Sequence, residues 1–206
     1  MLKLMIKYGL ILLIICFIAS GLLSGVFMFT SPKINAQKAR EQKEAFANVM
    51  PLAQAFKEVK QDSEVLYYIG YKDKSEKEIA GYVFLTTAKG YSSAIEIMAG
   101  IDDSGKITGI KILTQAETPG LGARIDEVLS DKTLFGPKQK TKQAQPQEAW
   151  FQKQFKGKPV QDLVVAKEKT DKNIQAITGA TITSEAVTKA VKEKAQEIFD
   201  LVKGKK

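Results

Sequence analysis

The sequence contains no histidine among its 206 residues, and its single cysteine, Cys16, lies in a long apolar stretch near the N-terminus. Without histidine, the chain can form neither a Ser-His or Cys-His nucleophile pair nor an imidazole metal site. One cysteine excludes an intrachain disulfide, a cysteine-ligated zinc site and an iron–sulfur cluster held by this chain. Any redox chemistry of this chain therefore requires an organic cofactor supplied from elsewhere.

Acidic residues are fewer than basic ones, with 23 Asp and Glu against 31 Lys and Arg, which gives a formal net charge of +8. Part of the excess lies in the tail from Lys203 to Lys206 and in the loop 138–142, and the signs alternate over much of the rest. Such runs are typical of solvated surface and do not form the focused basic patch of a nucleic-acid-binding protein. We therefore expect no nucleic-acid partner.

Charged residues are absent from Tyr8 to Thr30, a stretch of 23 residues. A helix of this length can cross a hydrocarbon core of about 30 Å. A cleaved signal peptide is the alternative, but its apolar region is normally about 7–15 residues long, and no clear cleavage site follows here. We predict a cytoplasmic N-terminus at 1–7 and a retained transmembrane helix at 8–30.

The charges that flank this stretch do not determine its orientation. Lys3 and Lys7 precede it, whereas Lys33, Lys38 and further basic residues follow it. Strict positive-inside counting favours a cytoplasmic C-terminal part, whereas a short basic N-terminus ahead of a first helix weakly favours the opposite. Long domains cross the membrane largely regardless of charge. The orientation therefore needs support from another source.

Beyond the apolar stretch, the apolar spacing of Asn35–Glu58 predicts a helix, which Pro51 should interrupt or restart. We assign this helix to a stalk at 31–62. Four runs rich in β-branched and aromatic residues follow, at 65–71, 79–86, 92–99 and 106–113. Turn-forming residues separate them, and we predict one antiparallel sheet of successive hairpins.

The residues from Glu117 to Gly122 read Glu-Thr-Pro-Gly-Leu-Gly. Proline fixes one φ angle and glycine permits φ > 0, so this stretch predicts a sharp turn. We expect a short helix at 123–129 after it, a polar and exposed excursion at 131–149, and a strand at 162–166. Two tyrosines, Tyr82 and Tyr91, are predicted to pack in the sheet rather than to stack on a ligand.

A final helix is predicted at Ser184–Val202, where apolar residues recur with the period of a helix packed on a sheet. The preceding stretch reads Thr-Gly-Ala-Thr-Ile-Thr-Ser from Thr178 to Ser184. Helix N-termini have unpaired N–H groups and partial positive charge, and therefore bind phosphate readily. Ser and Thr are also favoured helix caps, so a cap is the simpler interpretation of this stretch alone.

The two motifs, in this order and behind a single anchor, resemble those of the FMN-binding domain of the Rnf complex G subunit. The C subunit of the sodium-pumping NADH:quinone reductase is a close relative. The resemblance covers nearly the whole chain and includes Gly90-Tyr91 and Ile107-Thr108-Gly109. It implies an α+β fold with a transmembrane helix, a stalk helix and an antiparallel sheet packed by helices. The FMN-binding domain, at 63–206, is expected outside the cytoplasm, on a single-pass protein of a bacterial or archaeal cell membrane.

The resemblance also implies a cofactor, FMN, joined by a phosphoester to Thr181. A separate flavin transferase is expected to install it, taking FMN from FAD. Gln175 stands where the family pattern commonly has an acid. Leu121 is expected to contact the flavin ring, and Glu117 either tunes its redox potential or stabilises the turn. The expected cofactor-binding residues are Thr178, Gly179, Ala180 and Thr181 in one motif and Glu117, Thr118, Pro119, Gly120, Leu121 and Gly122 in the other.

The implied function is that of an electron-carrying subunit in a membrane complex that couples ferredoxin:NAD+ oxidoreduction to Na+ or H+ translocation. Its partners would be iron–sulfur and flavin subunits, and the chain would turn over no substrate alone. Covalent attachment suits a domain outside the cytoplasm, because FMN lost there is not easily replaced. The alternatives are a C-type subunit of the Na+-translocating NADH:quinone reductase, a non-redox membrane-anchored interaction module and a stand-alone flavoprotein carrier.

Overall fold

The computed structural model describes residues 1–61, 64–73, 75–128, 148–168 and 173–204. The chain divides into two compact units, Met1–Lys43 and Glu44–Lys206. Almost all of the predicted excursion at 131–149 lies outside the described residues.

The N-terminal part of the chain is one long helix, α1, which runs from Leu2 to Val49. An 18-residue window within it has a mean hydropathy of 2.7, so the helix can cross a membrane by length and composition. The helix continues through Pro32, where the missing N–H removes only one intrahelical bond. The predicted transmembrane and stalk helices are therefore continuous.

The predicted helix Asn35–Glu58 was wrong beyond Val49, where α1 ends. Pro51 lies in the turn that follows, and Ala55–Gln61 forms a strand, β1. This strand lies at the edge of the sheet and pairs only with the next strand. Charged side chains such as Lys57 are common on edge strands, and they gave the segment the mixed polarity of a solvated helix.

Five strands form one antiparallel sheet in the order of the sequence, which confirms the predicted succession of hairpins. After β1 come β2 (Glu64–Tyr71), β3 (Ile79–Lys89), β4 (Ala94–Ile101) and β5 (Ile107–Thr114). The four predicted strands correspond to β2 through β5. The α+β class expected from the sequence is therefore confirmed.

One face of this sheet is covered by the C-terminal helix α3, which runs from Thr181 to Lys203. The helix buries Val187, Val191 and Ile198 against the sheet, as its periodicity predicted. It begins three residues before Ser184, the predicted start, so that Thr181 is its first residue.

The other face is packed by the last residues of α1. Neighbouring strand residues point to opposite faces, and Val83 and Met98 accordingly belong to a second apolar cluster with Val49 and Met50. Below this helix end lie four glycines, one on each of β2 to β5, which we call the glycine seat. They are Gly70, Gly81, Gly100 and Gly109.

Close contact explains the glycine seat. A Cβ atom at Gly70 would lie 2.6 Å from Sδ of Met50, and one at Gly109 would lie 3.1 Å from the carbonyl oxygen of Val49. The hydroxyl of Thr108 donates a hydrogen bond of 2.7 Å to the same carbonyl of Val49. Shape and one side-chain bond thus hold the helix end on the sheet.

Short elements connect β5 to α3. The predicted helix at 123–129 is a 3-10 turn at Gly122–Asp126, and a short helix, α2, follows at Trp150–Lys153. The predicted strand at 162–166 was too long, because Val160–Asp162 is a second 3-10 turn. Only Val165–Ala166 forms a strand, β6, and it pairs in parallel with β7 at Ile174–Gln175. The second of these strands, β7, leads directly to the start of α3.

Candidate functional site

The start of α3 is a glycine-opened turn without a side-chain cap. Ala180 is the residue before the helix, and none of its side-chain atoms caps it. Gly179 has φ +79°, a conformation that glycine adopts without strain. The first N–H groups of a helix have no intrahelical acceptor and carry partial positive charge. The site therefore offers N–H donors to an anion, and the Ser or Thr cap that was the simpler interpretation of this stretch is not found at the residue before the helix.

Four hydroxyl groups lie in this stretch, and the structure separates their roles. Ser184 is buried, and its Oγ donates to the carbonyl of Ala180 at 3.0 Å and accepts the N–H of Ile177 at 3.0 Å. Thr183 is also buried and donates to Glu117. Thr178 is exposed. Thr181 takes part in none of these bonds, and it lies half-buried in the wall of a pocket.

Glu117 is the buried centre of this region, with 6% of its surface exposed. Its carboxylate accepts the hydroxyl hydrogen of Thr183 at 2.7 Å. It also accepts the N–H groups of Tyr91, Ser92 and Ser93 at 3.3, 2.9 and 2.9 Å. One side chain thus joins the loop after β3, the turn after β5 and the first turn of α3.

The ionised form of Glu117 is favoured by these bonds. Burial by itself raises the pKa of a carboxyl group, but the hydrogen bonds from Thr183 and from the N–H groups of Ser92, Ser93 and Tyr91 lower it by more. The pKa of Glu117 therefore lies below its ordinary value of 4.5. Of the two roles expected for this residue, the stabilisation of the turn is the one visible in these contacts.

The carboxylate of Glu117 lies so close to two positions of the backbone that only glycine fits there. A Cβ atom at Gly90 would lie 2.6 Å from Oε1 of Glu117, and one at Gly122 would collide with its Oε2. A Cβ atom at Gly122 would also lie 2.9 Å from Oγ1 of Thr183. Two of the glycines in the sequence motifs thus pack directly on one buried acid.

The two motifs also meet through Leu121. This side chain is 44% exposed, and its Cδ2 lies 3.0 Å from the position a Cβ atom would take at Gly179. Gly120 adopts φ +77°, which turns the chain here and brings Leu121 over the start of α3. The turn and the helix start, far apart in sequence, therefore form one site.

A pocket of about 470 Å³ opens at this junction, and we call it the Thr181 pocket. Seven predicted site residues line it: Glu117, Thr118, Leu121, Gly122, Gly179, Ala180 and Thr181. Three others, Thr178, Pro119 and Gly120, are exposed and are not among the lining residues. Its volume lies within the range of small-molecule sites.

Three lining residues were not predicted, namely Tyr91, Ile182 and Thr183. The prediction for Tyr91 was wrong: its side chain is 74% exposed and lies at the pocket instead of packing in the sheet. Tyr82, in contrast, is buried and packs edge-on against Tyr67, with 5.9 Å between ring centroids, as predicted.

Gln175, which stands where the family pattern has an acid, lies in β7 just before this turn. Its backbone N–H donates to Oε1 of Gln154 at 2.7 Å. Backbone bonds, rather than its own side chain, therefore fix the chain at this position.

Comparisons with known proteins match both parts of the chain. The family described as the FMN-binding domain matches residues 90–196, and the one described as the RnfG N-terminal region matches residues 1–49. The G subunit of the proton-translocating ferredoxin:NAD(+) oxidoreductase complex of Clostridium ljungdahlii is 34% identical over 195 residues, which cover 94% of this chain and 91% of that protein. The chain belongs to the family of ion-translocating oxidoreductase complex G subunits.

A second relative in this family is the G subunit of the Na(+)-translocating ferredoxin:NAD(+) oxidoreductase complex of Acetobacterium woodii. It is 33% identical over 218 residues, which cover 98% of this chain and 95% of that protein. Relatives in the family are subunits of oxidoreductase complexes, so other subunits are expected as partners of this chain. The matched domain identifies FMN as the cofactor class.

Among solved structures, the C subunit of the Na(+)-translocating NADH-quinone reductase from Parabacteroides distasonis has a TM-score of 0.53 to this chain. The match covers 82% of this chain and 94% of that protein, at 17% identity. At this identity the likeness shows a shared fold.

Proposed function

We propose that this chain carries FMN on Oγ1 of Thr181, through a phosphoester, as the electron-carrying subunit of a membrane complex. The complex couples ferredoxin:NAD+ oxidoreduction to Na+ or H+ translocation, and this chain is a non-autonomous part of that translocase. The relatives' named activities and the matched FMN-binding domain support the proposal. The observation that carries it is the placement of Thr181 in a pocket wall at a helix start, while Thr183 and Ser184 are bonded elsewhere.

The residues around Thr181 fit a flavin phosphate. A phosphate on this hydroxyl would lie at the N-terminus of α3, where N–H groups and the helix dipole favour negative charge. Gly179 has no Cβ atom and leaves room beside the ester. The Thr181 pocket then receives the ring, with Leu121 and Tyr91 as apolar and aromatic walls. When bound, FMN supplies the capacity to accept and release electrons, which this chain lacks.

Attachment requires a maturation partner, a flavin transferase that takes FMN from FAD. The bond between Oγ1 of Thr181 and the phosphorus forms as the pyrophosphate bond of FAD breaks. AMP leaves, and the hydroxyl proton is released. No oxidation or reduction accompanies this step.

The long apolar helix α1 supports an anchor in a bacterial or archaeal cell membrane. We place the FMN-binding domain on the extracytoplasmic side, because a covalent tether prevents loss of a cofactor that cannot be replaced there. The partners in the complex are iron–sulfur and flavin subunits, which deliver electrons to this chain and receive them from it.

Mass spectrometry of protein co-produced with a flavin transferase tests the attachment. We expect a mass gain of FMN minus one water in the wild type and in Thr181→Ser, and none in Thr181→Ala. Thr114→Ala is the matched control, since Thr114 is exposed and lies outside the motif and the pocket. It should retain the added mass.

A flavin that stays attached in Thr181→Ala would contradict the proposal. So would protein purified from its native membrane without added mass, which would favour the non-redox interaction module. Co-purification with polytopic subunits separates a member of a complex from a stand-alone flavoprotein carrier.

A further inference from the structure

We propose that the flavin ring has a second binding position, in a groove on the other side of Ile182, and that the ring moves between this groove and the Thr181 pocket. The inference rests on the proposed attachment at Thr181. The groove, which we call the α3 groove, has a volume of about 700 Å³. It lies between the first turns of α3, the end of β3 and the segment that includes β6.

The two cavities adjoin at one residue. Ile182 lines both the Thr181 pocket and the α3 groove, and its side chain is 56% exposed. It directly follows Thr181, which lines the pocket, so the attachment point lies one residue from the boundary between the two cavities. The ribityl chain between phosphate and ring has several rotatable single bonds. An attached ring can therefore enter either cavity without any change in the protein backbone.

The α3 groove has the lining of a site for a planar apolar group. Small residues, Ala88 on β3 and Ala186 and Ala190 on α3, leave space where larger side chains would pack. Val164 forms a wall and is 51% exposed. Volumes of this size are typical of small-molecule sites.

Exposed apolar side chains of the second unit lie at both cavities. Among its described residues, nine large apolar side chains are exposed, and four of them line one or both cavities. These four are Tyr91, Leu121, Val164 and Ile182. Contiguous exposed apolar surface on a soluble domain commonly marks a binding site.

The two cavities differ in charge. The Thr181 pocket is lined by one formal charge, the carboxylate of Glu117. The α3 groove is lined by three lysines and two glutamates. One of the lysines, Lys192, is held at the wall by donating to the carbonyl oxygens of Gln161 and Leu163, at 2.9 and 3.2 Å. Because opposite charges attract, a ring that carries negative charge favours the groove and a neutral ring has no such preference.

Fluorescence lifetimes of the covalently attached flavin report the two positions. A phenol or indole ring in contact with a flavin quenches its fluorescence. Tyr91 lines the pocket, whereas none of the described residues that line the groove is aromatic. We expect a short lifetime from the pocket and a long one from the groove. Val164→Trp should shorten the long component and, if the two positions are equally populated, lower the total intensity by more than half, because the quenched pocket position contributes little of it.

Leu201→Trp is the matched control. Leu201 is exposed and lies about 30 Å from Thr181 along the helix axis, so a tryptophan there should change neither component. Ala186→Leu fills the groove from its α3 side, and it should remove the long component. Tyr91→Leu removes the quenching ring from the pocket and should therefore lengthen the short lifetime. Together, the four variants assign each lifetime to one cavity.

The mass of the same samples separates the two proposals. Added mass together with a single lifetime, or a Val164→Trp variant that behaves like Leu201→Trp, would overturn the second position and leave the attachment intact. Absence of added mass would overturn both.

Discussion

Two regions of the second unit use glycine for close contact, and they differ in what the glycines face. In the glycine seat, the residue nearest to Gly70 is Met50, whose side chain has several rotatable bonds. Around the Thr181 pocket, Gly90 and Gly122 face the carboxylate of Glu117, which hydrogen bonds hold in place. The seat can therefore adjust to a change in shape at Gly70, although Gly109 faces fixed backbone atoms, whereas the pocket cannot adjust at Gly122 without breaking polar bonds. We therefore expect Gly122 to tolerate a side chain less well than Gly70.

Glu117→Gln should have the largest effect on stability. The substitution removes the charge, and it can place an NH2 group against backbone N–H donors. Hydrogen bonds to a charged group contribute about 1.5–3 kcal/mol each, so we expect a loss of about 3 kcal/mol in the free energy of unfolding at pH 7. Urea unfolding of the two proteins measures the difference. Glu127→Gln is the control, because Glu127 is exposed and pairs with Arg124 at the surface, where such a pair contributes about 0–1 kcal/mol.

The pH dependence of this difference tests its cause. The pKa of Glu117 is lowered by folding, so its contribution is fully present above the unfolded value of about 4.5 and is lost as the pH falls through the lower folded value. The gap between wild type and Glu117→Gln should therefore shrink on acidification below pH 4.5. A gap that stays constant from neutral pH to strongly acidic pH would show that the ionised carboxylate is not its source.

Alanine substitutions at Gly122 and Gly70 compare the two regions directly. At Gly122, the new methyl group collides with Glu117 and approaches Thr183, and we expect a loss of about 2–3 kcal/mol, at the upper end for overpacking. At Gly70, the side chain of Met50 can move away, and the loss should be about 1 kcal/mol. Both values come from urea unfolding. Equal losses, or a larger one at Gly70, would contradict the difference between the regions.

The elements predicted most reliably from the sequence were those whose burial follows a regular period. The residues of α3 repeat with the helical period, and β2 to β5 are rich in β-branched and aromatic residues. The edge strand β1 was missed because its pairing depends on the backbone of β2, which its own charged side chains do not reveal. The short elements between β5 and α3 depend on tertiary contacts and were predicted with wrong bounds.

The candidate site was predicted from its motifs, but its internal contacts were not. The sequence contains Glu117 and Thr183 more than sixty residues apart, and nothing in their spacing indicates a hydrogen bond of 2.7 Å. The same holds for the N–H groups of the loop after Gly90, which become donors to Glu117 only when β3 and β5 bring the segments together. Motifs identify which residues take part, and the fold decides which of them touch.

The smallest predicted effect concerns a side-chain bond that joins the sheet to the end of α1. Thr108→Val keeps the shape of the side chain but removes the hydroxyl that donates to the carbonyl of Val49 at 2.7 Å. A buried carbonyl left without its donor costs about 1 kcal/mol, so we expect urea unfolding to show a loss of that size. Thr114→Val is the matched control on the same strand, since its hydroxyl donates at the surface to Glu96. A loss at Thr114 as large as that at Thr108 would show that the bond to the helix end does not set the cost, and the seat would then hold the helix by shape alone.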